Sequence, residues 1–460
     1  MKRGGFIAAL ILLTLSLVSG QWVITAEGSD VSGGNKLAAY TEKEFQKGIV
    51  KVTDGVWVVI GFGAGQPILI EGTDGVILVD SGEGLQAAQA AKAEFDKITS
   101  KPLKAVIYTH SHRDHVSGAK VFIGEAKVDI YGRDPFSSDL MGDEAKLAKV
   151  IGARTKRQFG IGLSPTERIS VGLGPGDRMI GGLGAGYLPP NKTLSGDRME
   201  IEVAGVKMEL VAAPGETDDH LFVWLPQKKV LLPGDNFYAT FPNLYAIRGT
   251  AYRDVAKWAD SIDKMLRYPA EYMVPGHTRP VVGAENVRQI LSDYRDAIRF
   301  VLDKTIEGMN KGLTPDELVD YVKLPERLAS KPYLQEHYGT VAWSVRAVYA
   351  GLVGWFDGNP THLFPLSPAE RARRMAELAG GQEALLKRAK AALSAKDYQW
   401  ACELFDEVIA LDPKSSEAKL LKADALRALA GMQTSANGRN YYFAGAKELQ
   451  EEVNPLAQTK

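Results

Sequence analysis

The sequence predicts an α/β domain followed by an all-α domain, and three observations carry this prediction. Between residues 50 and 110, short β-rich runs alternate with an Ala-rich helical segment, as in an α/β sheet. Clusters of histidine and carboxylate residues follow several predicted strands, where α/β folds place their sites. After residue 284, apolar residues recur at spacings of three and four, which indicates helices. A chain of 460 residues has room for two or three domains.

The first 20 residues have the pattern of a secretory signal peptide. Lys2 and Arg3 form a basic start, residues 6–18 are apolar, and residues 18–20 offer small side chains for cleavage. The apolar run is short for a membrane-spanning helix, so no stable span is expected after cleavage, and an uncleaved anchor is the alternative. We therefore expect a periplasmic or secreted protein.

Composition excludes few functions, but it does limit the kinds of binding partner that are expected. The formal net charge of −1 does not favour nucleic acid or an anionic membrane surface as a partner. Cys402 is the only cysteine, so an intramolecular disulfide is impossible, and its helical surroundings predict an inert buried thiol.

The first predicted domain, residues 21–283, is built from short strands around one helix. Its early β-rich runs are separated by Gly-rich or Asp-Gly turns and comprise residues 56–60, 67–71 and 75–80. Residues 85–99 read as a helix and residues 105–108 as the next strand. Later strands are expected at residues 199–203, 207–211, 221–225, 229–232 and 271–274.

Residues 152–187 are rich in glycine and have little periodicity, so we expect a long irregular insertion there. A phosphate-binding loop is the alternative, but no P-loop lysine pattern accompanies these glycines.

The second predicted domain, residues 284–460, is helical. Helices are expected at residues 287–312, 315–322, 337–353, 368–378 and 383–394. Residues 382–430 resemble a tetratricopeptide-type helical hairpin, broken at Asp412-Pro413. A structural or dimer-contact role is expected for it, with a peptide-binding groove as the alternative.

One stretch in the first domain concentrates potential metal ligands. Directly after a predicted strand come His110, His112, Asp114 and His115, and they include three of the chain's seven histidines. Imidazole and carboxylate are the ligands that zinc and similar ions prefer. A solvated polar loop is the alternative interpretation.

Three later motifs complete a pattern. They are Pro214-Gly215-Glu216-Thr217, Gly234-Asp235 and Pro275-Gly276-His277, each beside a predicted strand. In order and rough spacing, the whole set resembles the metallo-β-lactamase superfamily over residues 45–283. The resemblance implies an αββα sandwich with a pair of metal ions in a cleft between its sheets.

Carried over position by position, the resemblance implies two zinc ions. His110, His112 and Glu216 would bind one ion, while Asp114, His115 and His277 would bind the other, with Asp235 bridging both. Two such ions lower the pKa of a shared water molecule and supply hydroxide at neutral pH. The role of His220 stays open between ligand and supporting residue, whereas His337 and His362 are expected to be structural.

Glu216 departs from the histidine that is usual at its position in the superfamily, and this departure resembles the alkylsulfatases. The run Pro242 to Gly249 is similar to the segment in which that family holds sulfate, here through Asn243 and Arg248. Three further stretches resemble its helical dimerisation domain, namely residues 337–349, 354–360 and 439–446.

The resemblance therefore predicts a zinc hydrolase that cleaves alkyl sulfates to alcohol and sulfate, and it implies a homodimer. Three differences accompany it. Asp235 stands where alkylsulfatases carry glutamate, the segment upstream of the first strands is shorter than theirs, and the chain ends at Lys460, where they continue into a sterol-carrier-like domain. The alternatives are another hydrolase of the superfamily, acting on carboxylic esters, thioesters or lactams, and a non-catalytic scaffold stapled by metal.

Overall fold

The computed structural model describes residues 32–136 and 146–454, so the predicted signal peptide lies outside the described residues. The first sheet contains β1 (Gly48–Thr53), β2 (Val56–Ile60), β3 (Ile68–Glu71), β4 (Val76–Val79), β5 (Leu103–Ile107), β6 (Asp129–Arg133) and β7 (Lys192–Leu194). The second contains β8 (Arg198–Val203), β9 (Val206–Ala212), β10 (Leu221–Leu225), β11 (Val230–Gly234), β12 (Tyr272–Pro275) and β13 (Val281–Val282).

The helices cover both faces of this pair of sheets and then form the C-terminal half. Those of the first half are α1 (Ser32–Phe45), α2 (Leu85–Phe95), α3 (Arg113–Val116), α4 (Ala119–Ile123), α5 (Ala148–Gln158) and α6 (Val255–Met265). Those that follow are α7 (Ala284–Asn310), α8 (Pro315–Tyr321), α9 (Glu326–Ala329), α10 (Val341–Val353), α11 (Pro368–Ala379), α12 (Gln382–Ser394), α13 (Tyr398–Leu411), α14 (Ser416–Met432) and α15 (Ala436–Val453). Within the described ranges, no helix is both long and apolar enough to cross a bilayer.

The two sheets pack face to face, and strand β10 shows how the sequence permits this. All five of its residues are buried. Because side chains alternate across a strand, Val223 and its alternate neighbours enter the core between the sheets, while Phe222 and Trp224 enter the core under the outer helices. A strand buried on both faces belongs in the middle of a layered fold.

Helices complete the outer layers. Strands β4 to β7 run parallel, and α2 and α4 pack on the outer face of their sheet. Helices α6, α7 and α10 share one core with the outer face of the second sheet. The order is helix, sheet, sheet, helix, which confirms the predicted fold class. The helix that opens the second predicted domain thus packs directly on the first.

Three predicted boundaries are wrong by four residues or more. The helix predicted at residues 85–99 ends at Phe95. The insertion predicted as irregular from residue 152 begins inside α5, which ends at Gln158, although residues 159–191 are indeed without helix or strand. The helix predicted from His337 begins at Val341, because Thr340 caps it by accepting a hydrogen bond from the Trp343 N–H. In the C-terminal half, α13 ends next to Asp412, at the break that the sequence predicts.

Candidate metal centre

The ligand loop follows β5 and lies at the carboxyl end of the parallel strands. Thr109 is held by Asp80, which follows β4: its backbone N–H and its hydroxyl donate to the Asp80 carboxylate at 2.8 and 2.9 Å. His110 and His115 are fully buried and His112 nearly so, which excludes a solvated loop. Residues after adjacent strand ends therefore meet, as the sequence predicts.

The structure brings all seven candidate ligands together in two groups. The first group is His110, His112, Glu216 and Asp235, and the second is Asp114, His115, Asp235 and His277. Within each group, one candidate ligand atom per residue lies within 4.8 Å of all the others. Every member except Asp114 is buried.

Asp235, at the end of β11, joins the two groups. Its Oδ2 lies 3.0 Å from His277 Nε2 and 3.9 Å from His110 Nε2, while its Oδ1 lies 3.2 Å from His115 Nε2. One carboxylate thus faces histidines of both groups with its two oxygens. If each group held a metal ion, this carboxylate would be shared by the two sites.

The residues fit divalent cations. Three buried ligand atoms, His115 Nε2, Glu216 Oε2 and Asp235 Oδ1, make no hydrogen bond of good geometry within the described ranges, although His115 Nε2 and Asp235 Oδ1 lie 3.2 Å apart. Burial lowers the pKa values of His110 and His112 well below their usual range, so both rings are neutral and can offer a lone pair. Burying so many carboxylate and imidazole atoms together, some of them without a hydrogen bond, is costly unless a cation binds them.

Other side chains fix which nitrogen of each histidine faces the centre. His115 Nδ1 lies 2.8 Å from Asp80 Oδ2, and His277 Nδ1 lies 2.8 Å from the Ala64 carbonyl oxygen and 3.0 Å from that of Leu173. Each Nδ1–H is therefore a donor, and each Nε2 is left for a metal. Asp80 is not among the predicted site residues, although its place directly after a strand resembles that of the others.

His220 supports the centre and belongs to neither group. Its Nε2 accepts a hydrogen bond from the Asp235 backbone N–H at 3.0 Å, and its ring stacks on His110 with centroids 4.8 Å apart. Burial lowers the pKa of His220 to about 3, so the ring stays neutral and can accept this bond. Of the two roles left open by the sequence, the structure favours the supporting one.

Arg253 is a site residue that sequence reasoning missed. It is buried, and its Nη1 lies 2.7 Å from Glu216 Oε1 and also donates to the Asn243 carbonyl oxygen. Burial raises the pKa of Glu216, and the Arg253 guanidinium opposes that rise and stabilises the carboxylate form. Its sequence signal is slight, an arginine five positions after Arg248 in the same loop.

Asn243 and Arg248 lie in the loop between β11 and α6, outside both ligand groups. Asn243 is buried, and both polar atoms of its side chain lack a partner among the described residues. Arg248 is half-buried. After burial itself, the charges of Arg248 and then Arg253 contribute most to lowering the pKa of His112, so positive charge lies beside the first group.

Comparison with known proteins identifies two families that the chain matches and several similar enzymes. Residues 60–277 match the Metallo-beta-lactamase superfamily, and residues 314–452 match the family described as Alkyl sulfatase dimerisation. A linear primary-alkylsulfatase from a Pseudomonas strain is 39% identical over 392 residues, which are 84% of this chain and 74% of the relative. An (R)-specific secondary-alkylsulfatase from Pseudomonas is 33% identical, with 88% of this chain and 63% of the relative covered.

A solved structure agrees with these relatives over most of the chain. The stereoselective inverting sec-alkylsulfatase Pisa1 from Pseudomonas superposes with a TM-score of 0.85 at 30% identity, covering 94% of this chain and 69% of that one. Fold and site together define a metal-using hydrolase of the metallo-β-lactamase superfamily. Within that superfamily the chain belongs to the alkylsulfatase family, and it is an enzyme of that class, a sulfuric ester hydrolase.

Proposed function

We propose that this enzyme hydrolyses alkyl sulfate monoesters to an alcohol and inorganic sulfate, and that it uses two zinc ions. The observation that carries the proposal is the pair of ligand groups sharing Asp235, with Asn243 and the charge of Arg248 beside the first group. One ion would be held by His110, His112 and Glu216, and the other by Asp114, His115 and His277, with Asp235 shared. Imidazole and carboxylate ligands of this number suit zinc.

The chain's own residues supply binding and orientation. When bound, zinc supplies a water molecule of lowered pKa as the nucleophile at neutral pH. Arg248 can donate two parallel hydrogen bonds to a tetrahedral sulfate ester, and the Asn243 amide can donate a third. Arg253 holds Glu216 in place, and His220 holds the backbone of Asp235. Apolar residues of the Gly-rich insertion and the helical domain accept the alkyl chain.

The test measures sulfate released from dodecyl sulfate by purified protein, before and after chelation, together with zinc content. We expect about two zinc ions per chain, release that stops after chelation, and recovery on adding zinc back. Alkyl sulfates of other chain lengths are assayed in parallel. The absence of metal-dependent sulfate release from all of them would refute the proposal.

We further propose that the enzyme is a homodimer joined through its helical half. Large apolar side chains are exposed between residues 352 and 366, namely Leu352, Val353, Trp355, Leu363, Phe364 and Leu366. Trp355 is 74% exposed and Phe364 is 92% exposed, which is unusual for a monomeric surface. These residues lie within the range that matches Alkyl sulfatase dimerisation. The basic and apolar start of the sequence supports export to the periplasm or the medium.

A further inference from the structure

Helix α15 carries a buried asparagine that contacts the catalytic half of the chain. Asn440 is fully buried, and its Nδ2 donates to the carbonyl oxygens of Gln158 at 3.3 Å and Ser170 at 3.1 Å. The residue belongs to the stretch 439–446, to which the proposed chemistry assigns no role. A side chain that serves two distant backbone carbonyls fixes where that backbone lies.

Other contacts hold the same segment against α15. Arg157 Nη2 lies 2.7 Å from Glu448 Oε2, and the Arg157 guanidinium lies 5.9 Å from the centroid of the Tyr441 ring. Further along, Lys447 Nζ donates to the Gly162 carbonyl oxygen. The end of α5 and the residues that follow it are therefore attached to α15 at several points.

Gln158, the last residue of α5, also contacts the loop between β11 and α6, residues 235–254, which carries Asn243 and Arg248 and is called the substrate loop below. Its side chain is fully buried, and its Oε1 accepts a hydrogen bond from the Arg248 backbone N–H at 2.9 Å. Helix α5 borders the next residue too, because a Cβ on Gly249 would lie 3.8 Å from Arg154 Nη1 and 4.0 Å from Ile151 Cγ1. The peptide from which Arg248 extends is thus fixed by α5.

We propose that Gln158 is a positioning residue for Arg248 and that Asn440 acts through Gln158, so that α15 sets how the sulfate-binding arginine is held. The inference rests on the proposed function, because it takes Arg248 as the sulfate contact. A bidentate contact tolerates little misalignment, so a shifted Arg248 backbone weakens sulfate binding. The metal ligands are not touched by this change.

The first test replaces Gln158 by methionine, which keeps the length of the side chain and removes the acceptor. We expect Gln158→Met to raise the KM for dodecyl sulfate about tenfold, which corresponds to one lost hydrogen bond, and to weaken inhibition by inorganic sulfate in parallel. The change in kcat should be smaller and the zinc content unchanged. The matched control is Gln289→Met on α7. The Gln289 side chain donates a hydrogen bond to Asp293, and both residues are far from the substrate loop in the sequence. The KM of this control variant should not change.

A double-mutant cycle separates positioning from a general effect on stability. If Gln158 acts through Arg248, Gln158→Met should change KM less than about twofold in an Arg248→Ala background. Equal effects of Gln158→Met in both backgrounds would overturn the proposal, as would an unchanged KM in the single variant. Asn440→Leu passes through the same cycle as a second variant, in case Gln158→Met does not fold. An unmodified enzyme that releases no sulfate is a different result, since it refutes the proposed function itself.

Discussion

Arg253 shows how one residue sets the charge of the site from outside the ligand groups. It balances Glu216, the carboxylate that stands where the superfamily usually has a neutral histidine. Removing one partner of a buried ion pair leaves the other charge uncompensated and is strongly destabilising.

Replacing Arg253 by methionine should therefore cost about 3 kcal/mol or more of unfolding free energy in metal-free protein. The measurement is urea unfolding after chelation. Lys229→Met is the control, because Lys229 pairs with Glu271 at an exposed position, and its loss should cost less than about 1 kcal/mol. Equal losses of unfolding free energy in the two variants would show that the buried Arg253–Glu216 pair contributes no more to stability than an exposed ion pair.

Arg248 separates the proposed substrate from its alternatives. If it holds a sulfate ester, Arg248→Ala removes charge-assisted hydrogen bonds and should lower kcat/KM for dodecyl sulfate about a hundredfold. Arg374→Ala, on the surface of α11, should leave kcat/KM unchanged. Near-normal activity of Arg248→Ala would instead favour a carboxylic ester, thioester or lactam as the substrate, because a neutral acyl group needs no anion clamp.

At the residue scale, the sequence predicts what lies in motifs and misses what depends on distant contacts. The spacing of His110, His112 and His115 after a strand is enough, by itself, to indicate metal chemistry. Asp80 and Arg253 gain their roles only through bonds to His115 and Glu216, which lie far away in the sequence. No local pattern encodes such pairs.

At the scale of elements, strands are predicted correctly where the strand's own sequence is a continuous run of apolar, β-favouring residues. The predicted bounds of β2 and β10 agree with the structure because both are continuous β-rich runs between turns. By contrast, the sequence does not predict β6, since its only buried large apolar side chain is Ile130 and its place follows from parallel pairing with β5. Helix α5 buries only Gln158, so its sequence has no apolar face from which a helix could be predicted. Its contacts with α15, such as the ion pair between Arg157 and Glu448, hold it in place instead.

The end of β12 brings backbone unusually close to the centre, and this gives a prediction. A Cβ on Gly276 would lie 2.6 Å from Asp235 Oδ1 and 2.8 Å from His115 Cε1. Gly276→Ala should therefore displace these side chains and weaken zinc binding at least about tenfold, measured by competition with a chromophoric chelator. Gly152→Ala, in α5 with open space around it, should leave zinc affinity unchanged. An unchanged zinc affinity in Gly276→Ala would contradict the idea that the backbone at Gly276 lies too close to Asp235 and His115 to accept a side chain.

At the scale of the whole molecule, the exposed apolar side chains between residues 352 and 366 predict association. Introducing charge there, as in Trp355→Glu combined with Phe364→Glu, should convert the proposed dimer to a monomer in light scattering. Val282→Glu, at the exposed edge of the second sheet, is the control and should remain dimeric. An unmodified enzyme that is monomeric at micromolar concentration would exclude this interface.

The buried pair of Glu216 and Arg253 also bears on how such a site can change over generations. A histidine at position 216 would leave the buried guanidinium without its carboxylate partner. Loss of Arg253 alone would leave the buried carboxylate without its guanidinium partner. Each single substitution should lower stability before the second can compensate. A lineage that acquires the pair is therefore expected to inherit both residues together, and its descendants reach the histidine-type site only through a rare double change.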